Sequence, residues 1–322
     1  MDELVYQDQL QERLKSIEGV SPARYVKKAR GLGFDGRPKL ALGFAVGEIV
    51  SGDSQESPFG GSFVGSDTVA RAIKGAREDD DIKAVLLRVD SPGGSGIASD
   101  VIWREVQLTR KKKPVVVSMG DVAASGGYYI AMGSDAIVAQ PGTITGSIGV
   151  FSGKFSLRGL YDKIGVSKEI LTRGRHAALF SEYQPWTQEE RERIRSLMVS
   201  FYQDFLAKAA EGRKKSIEDV DQIAQGRVWT GTEALRLGLV DRLGGLDTAV
   251  GVAKERAKIG KDQEVQLVVL PERKGFLETL LERQDDGLES SLPADLRFAL
   301  RWAVLLGDGR PLARLPFDLQ IR

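Results

Sequence analysis

Short apolar runs rich in β-branched residues recur through the middle of this chain, and helix-patterned stretches separate them. IKAVLLRVD (82–90) and PVVVSM (114–119) are two such runs, and SDAIVAQPGTITGS (134–147) supplies a third. Apolar runs of this length with little polar alternation suit strands covered on both faces. DTVARAIKGAREDD, just before the first run, places Val69, Ile73 and Ala76 on one helical face, and ASDVIWREVQLTRKKK joins the first run to the second. Strand–helix–strand alternation predicts a parallel sheet flanked by helices, an α/β fold.

The surrounding segments set the domain limits. Residues 1–37 are polar and helix-prone and read as an arm or linker; strand character begins at KLALGFAVGEIV. Past 270 the sequence loosens into a tail, 271–322, which includes ERQDDGLESSLPADLR and the amphipathic LRFALRWAVLLG. Between these limits, 38–270, the clearest helix is TQEERERIRSLMVSFYQDFLAKAAEG, with Thr187 as N-cap and Glu190 completing a capping box. Its stripe of Ile194, Leu197, Met198, Phe201, Tyr202, Phe205 and Leu206 is expected to pack into the core. VWTGTEALRLGLVDRLGGLDTAV is expected to continue as a helix with short connections.

Composition removes several kinds of chemistry. The chain has no cysteine and one histidine, His176, which excludes thiolate nucleophiles, disulfides and zinc sites built on cysteine or several histidines. With 46 basic and 45 acidic residues, the charge balance points to neither a nucleic-acid nor an acidic partner. No apolar run approaches the ~18 residues of a spanning helix. The opening MDELVYQDQL is acidic and lacks the apolar centre of a secretory signal.

Two strand ends carry glycine-rich loops, DSPGGSG (90–96) and GDVAASGGYY (120–129). Ligands of open parallel sheets bind at the carboxyl ends of strands, and neighbouring strands would bring these loops together. Ser125 sits at the expected start of a helix. It reads either as a nucleophile or as an N-cap in a tightly packed turn. In the first case an amide of Gly93 or Gly94, together with that of Gly126, forms a two-donor oxyanion hole. Neither loop continues into a Walker lysine or a GxGxxG pattern, so nucleotide binding is not expected.

RVDSPGGSGIASDVIWREV, PVVVSMGDVAASGGYYIAMGSDAIVAQPGTITGSIGV and IAQGRVWTGTEALRLGLVDRLGGLDTAV resemble the signal peptide peptidase SppA family of serine peptidases, in order and with matching spacing over roughly 38–255. The resemblance implies a Clp/crotonase-like fold and a Ser–Lys dyad without metal or cofactor. It maps the nucleophile onto Ser125 and the oxyanion loops onto Gly93, Gly94 and Gly126. Peptide substrates follow from it, apolar remnants of signal peptides among them, as do ring-like homo-oligomers and peripheral contact with a bacterial membrane.

The family's lysine base falls, in this chain, on Ala177 within GRHAALF, just past a strand expected at SKEILTRG. Alanine accepts no proton. Three explanations follow. The chain corresponds to the C-terminal half of a two-copy SppA, its lysine coming from another domain or chain. Alternatively His176 serves as base, although neighbours on a strand face opposite ways. Or the module is a catalytically silent, peptide-binding scaffold. Lys154, Lys163 and Lys168 read as solvated charges. A crotonase-type acyl-CoA enzyme would use the same fold and oxyanion hole without a serine nucleophile.

Overall fold

The structure is a computed structural model that describes residues 36–56, 62–271 and 312–314. The arm expected over 1–37 and the amphipathic segment of the tail lie almost wholly outside the described residues.

The main sheet is built from β1 (Lys39–Val46), β5 (Ile82–Ser91), β7 (Val115–Ala124), β8 (Ala136–Ala139), β9 (Ile144–Gly146), β10 (Val228–Thr230), β11 (Arg242–Leu243) and β12 (Gln266–Leu270). Its order is β10-β9-β7-β5-β1-β12, parallel throughout except for the β10–β9 pair. β7 forks: Val116–Ser118 pair with β8, whereas Val122–Ala124 pair with β9. The α/β parallel sheet read from the apolar runs is therefore present.

Those runs are uninterrupted because both faces are covered. Val85, Leu87, Val115 and Val117 point into one core, closed by α1 (Ser66–Glu78), α2 (Gly96–Arg110), α3 (Gly126–Ala131) and the C-terminal half of α5 (Gln188–Arg213). Their neighbours Ala84, Leu86 and Val116 point into the other, closed by Ala249, Val252 and Ala253 of α8 (Leu246–Arg256). Each fully buried side chain of this size contributes about 1.5–3 kcal/mol. Val69, Ile73 and Ala76 of α1 are buried as their spacing predicts.

A second, smaller sheet caps the carboxyl ends of β1 and β5. Its order is β13-β6-β2-β4-β3, from β13 (Leu312–Arg314), β6 (Gly93–Ser95), β2 (Glu48–Val50), β4 (Ser62–Gly65) and β3 (Gln55–Glu56). β5 passes into β6 through Pro92, so the DSPGGSG loop is itself a strand of this sheet.

Three expectations change. The stripe of α5 is buried at Ile194, Phe205 and Leu206, but Leu197, between them, is exposed. The 228–250 region holds α7 (Gly231–Arg236) and α8 but also two short strands, β10 and β11, which extend the sheet. Residues 166–173 form no strand; after α4 (Arg158–Lys163) the chain runs irregularly and 175–180 are turns, in which the amides of Ala177 and Leu179 reach three residues back, to Gly174 and His176. α6 (Ile217–Ile223) completes the helices.

Candidate active site

Ser125 joins β7 to α3 in a single residue. Its backbone has φ 53° and ψ −115°, a region that side-chain-bearing residues avoid at a cost of about 1–3 kcal/mol. Both backbone groups are tied down: its N–H donates to the Gly146 carbonyl at 2.9 Å, and its carbonyl accepts from the Tyr129 N–H at 2.8 Å. The side chain is not. Ser125 is 1% exposed, makes no capping bond to α3, and its Oγ has no hydrogen-bond partner. The N-cap alternative is thereby removed. A hydroxyl held in a strained strand-to-helix turn and left unpaired is similar in form to the elbow that carries the nucleophile in α/β-hydrolases.

The two glycine-rich loops do meet. After a register shift past Val89, Ser91 lies opposite Ala123. The start of α3 presses on the same point: a methyl group added at Gly127 would lie 2.6 Å from the Ser91 carbonyl oxygen. Gly94 has φ 153°, and a methyl group there would sit 2.1 Å from the Ile49 carbonyl oxygen of β2, so only glycine fits.

The donors proposed for the oxyanion differ in their present state. Gly126 is the first residue of α3, where an N–H has no acceptor within the helix. Gly93 N–H, in contrast, donates to Ser91 Oγ at 3.1 Å, a local turn that satisfies the amide before any substrate arrives. Ser91 was not singled out by the sequence reading; the signal was a hydroxyl two residues before the first glycine.

Further polar residues brace the site from behind. Asp90 Oδ1 accepts from Val122 N–H at 3.1 Å, and Thr143 and Thr145 donate their hydroxyls to the carbonyls of Gly120 and Ala123, each at 2.7 Å. These bonds carry β7 beyond the apolar run that ends at Met119. One turn past Ser125, Tyr129 donates its hydroxyl to Asp100 at 2.8 Å and accepts from Lys208 Nζ at 2.9 Å. Lys208 also pairs with Asp100 and lies 4.4 Å from the Trp103 ring centre. Burial, reinforced by the Asp100 carboxylate, pushes the Tyr129 phenol far above its ordinary value. The phenol thus stays protonated and anchors α3. Ser147, buried at φ 49° directly after Gly146, is a further polar residue beside the elbow.

No base within the described residues bonds to Ser125 Oγ. His176 Nε2 faces Glu189 at 3.7 Å, and the ring lines a separate cavity of about 300 Å³ with Ile170, Thr172, Glu189 and Glu190. Ala177 is exposed in a turn. Lys154 Nζ donates to the Leu179 carbonyl at 2.9 Å, and burial lowers its pKa; Lys168 pairs with Glu182, and Lys163 is exposed at the end of α4.

Comparison with known proteins supplies the family. The model of peptidase family S49 matches residues 107–260, which include the elbow. The chain is 40% identical to "Serine protease SPPA, chloroplastic" of Arabidopsis thaliana over 82% of its own length and 41% of that protein. It is 35% identical to "Protease 4" of Haemophilus influenzae over 88% of its length and 44% of that protein. The chain thus spans under half the length of these two relatives. It is 34% identical to "Putative protease slr0021" of Synechocystis sp., covering 86% of this chain and 95% of that one. Among solved structures, a ClpP1 variant from Listeria monocytogenes overlays with a TM-score of 0.43 and 14% identity, over 65% of this chain and 94% of that one. Its match along almost the whole of a relative of similar length places the chain in peptidase family S49, with the SppA-type serine peptidases.

Proposed function

We propose that this chain is the serine-bearing module of a two-part peptidase, with Ser125 as nucleophile and a lysine of another domain or chain as base. The observation that carries the reading is the Ser125 elbow: a strained backbone holding a buried hydroxyl with no partner. In the reaction, Ser125 Oγ bonds to the scissile carbonyl carbon while its proton passes to the neutral lysine amine. The carbonyl oxygen becomes an oxyanion and takes the Gly126 N–H, together with an amide of the 93–94 turn. Collapse breaks the C–N bond, and the departing amine takes the proton back from the lysine. Water, deprotonated by the same lysine, then hydrolyses the acyl-enzyme. Each oxyanion donor is worth roughly 3–4 kcal/mol of transition-state stabilisation. For Gly93 to contribute, its N–H must leave Ser91 Oγ for the oxyanion, exchanging a neutral hydrogen bond for a stronger charge-assisted one.

Apolar peptides are the substrate class this reading carries, with the finished site assembled across an interface between modules. The test is intact-mass detection of a fluorophosphonate adduct on wild type and Ser125→Ala, each alone and mixed with a lysine-bearing SppA amino-half domain. Adduct on wild type only in the mixture supports the two-part site. Adduct on wild type alone means that this chain supplies its own base. None in either, with the fold intact, leaves the silent scaffold.

A further inference from the structure

The β6 strand carries two candidate oxyanion glycines, and both of its edges are taken. Its inner edge pairs in parallel with β2, Ile49 opposite Gly94. Its outer edge pairs antiparallel with a piece of the chain's own tail: Leu312 opposite Ser95, Ala313 opposite Gly94 and Arg314 opposite Gly93. Without that piece, β6 would be a three-residue edge strand beside Ser125. Apart from the Gly93 N–H, which donates to Ser91 Oγ, the backbone groups on that edge would be open to any extended peptide that adds as a further strand. With it, the edge beside the elbow is filled.

We infer that Leu312–Arg314 is a built-in pseudosubstrate, a tethered segment that holds the peptide-binding edge of β6 and must be displaced before another peptide enters. The inference rests on the reading of Ser125 and β6 as a peptidase site. The sequence around the segment suits this part. Pro311 and Pro316 bracket it in RPLARLP, and proline has no N–H to donate, so the ladder is confined to a few residues. Leu312 and Ala313 give it the apolar and small character of the substrate class proposed above. About 40 residues separate Pro271 from Leu312, which can reach up to ~130 Å if extended, so the connection permits pairing within one molecule.

Tethering sets the expected size of the effect. Linked segments reach effective concentrations of about 1 mM. A segment with an intrinsic Kd of about 0.1 mM would then fill the edge roughly nine-tenths of the time, weakening a competing peptide about tenfold.

The test compares the full chain, a chain ending at Gly309, and the full chain carrying Ala313→Pro, all in a Ser125→Ala background. The background makes both readouts independent of turnover. Amide hydrogen exchange is followed at β6, and binding of a fluorescein-labelled RPLARLP peptide is followed by anisotropy. Expected are exchange at whichever amide of Gly94 and Ser95 faces Leu312–Arg314 at least tenfold faster in both altered chains, with its neighbour facing β2 as the internal control, about tenfold tighter peptide binding, and restored protection once the peptide saturates. Equal exchange and equal affinity in all three would overturn the inference. Protection in the full chain that is lost on dilution would also overturn it, by assigning the segment to a second copy. If the shortened chain fails to fold, Ala313→Pro decides alone. Absence of fluorophosphonate labelling of the wild-type chain in the mixture described above, with β6 protection intact in the Ser125→Ala chain, would remove the peptidase reading and leave the tethered strand standing.

Discussion

Replacing Ser125 by alanine should raise the stability of this chain while abolishing its reaction with a serine-directed probe. The sign separates the two uses of a serine at a helix start. An N-cap serine satisfies an N–H of the first turn, and its removal costs about 0.5–2 kcal/mol. Ser125 makes no such bond, and its Oγ is buried without a partner. A buried, unsatisfied hydroxyl costs about 1–3 kcal/mol, and alanine removes it without removing any bond seen in the structure. The backbone strain at φ 53° remains, since alanine dislikes that region as serine does. The net expectation is a gain of about 1 kcal/mol, or a Tm roughly 2–4 °C higher for a domain of this size. Ser125→Gly adds relief of about 1–3 kcal/mol of strain, offset by about 0.5–1 kcal/mol of chain entropy, and should be at least as stable. Urea denaturation of the three proteins, with equal m-values, is the assay. A Ser125→Ala protein less stable than wild type by 1 kcal/mol or more would refute the reasoning, because the hydroxyl would then hold a structural bond.

Thr187→Ala should cost about 1 kcal/mol by opening the box in which Thr187 Oγ1 accepts from Glu190 N–H at 3.2 Å and Glu190 accepts from Thr187 N–H at 2.8 Å. The same denaturation assay reads it, with labelling in the mixture unchanged. At alkaline pH, burial and the bond to Asp221 push the Tyr202 phenol up to about 12. Its folded-state pKa lies above the unfolded value near 10, so the stability it contributes is complete below about pH 10 and declines as pH rises toward 12. Tyr202→Phe should flatten that part of the stability–pH curve; an unchanged slope would count against the assignment. Leu171 is 88% and Ile164 61% exposed on the segment leading to Ala177. If the lysine-bearing partner covers that segment, Leu171→Asp should cut partner-dependent labelling on the order of tenfold, about 1.4 kcal/mol of binding, with a Tm change within the ~0.5 kcal/mol usual for surface positions. Full labelling in the mixture would place the partner elsewhere.

The central strands were legible because Val115, Val116 and Val117 alternate between two cores, and a strand apolar on both sides has one reading. The cap of α5 was legible because Thr187 and Glu190 act within one turn. Bonds made at a distance were not legible. β7 runs past Met119 to Ala124 because Asp90 and Thr145 hold it, and neither bond leaves a local pattern. Gly93 N–H was read as a free donor because the Ser91 hydroxyl that occupies it looks like any turn serine. The strand expected at SKEILTRG failed because Leu171 and Val166 find no sheet to join; apolar residues gain from burial only where another surface meets them. The positive φ of Ser125 had no trace in a string where serine, unlike glycine, signals no such conformation.

A module used only for assembly has no physical need for what surrounds Ser125. Close packing of α3 on the sheet is served by Gly127, whose missing side chain lets the helix reach the Ser91 carbonyl. A glycine at 125 would make the same turn without strain, and an alanine would fill its space without an orphaned hydroxyl. Strain and an unsatisfied hydroxyl together cost a few kcal/mol, a sizeable part of the ~5–15 kcal/mol that holds a domain together. The brace of Tyr129, Asp100 and Lys208 keeps the turn from relaxing. Attack on a carbonyl gives such a hydroxyl a use, because a bond to a neighbour would have to break before the oxygen could reach carbon. Among the described residues no base bonds to Ser125 Oγ, so the two-part reading proposed above requires the proton acceptor to come from outside them.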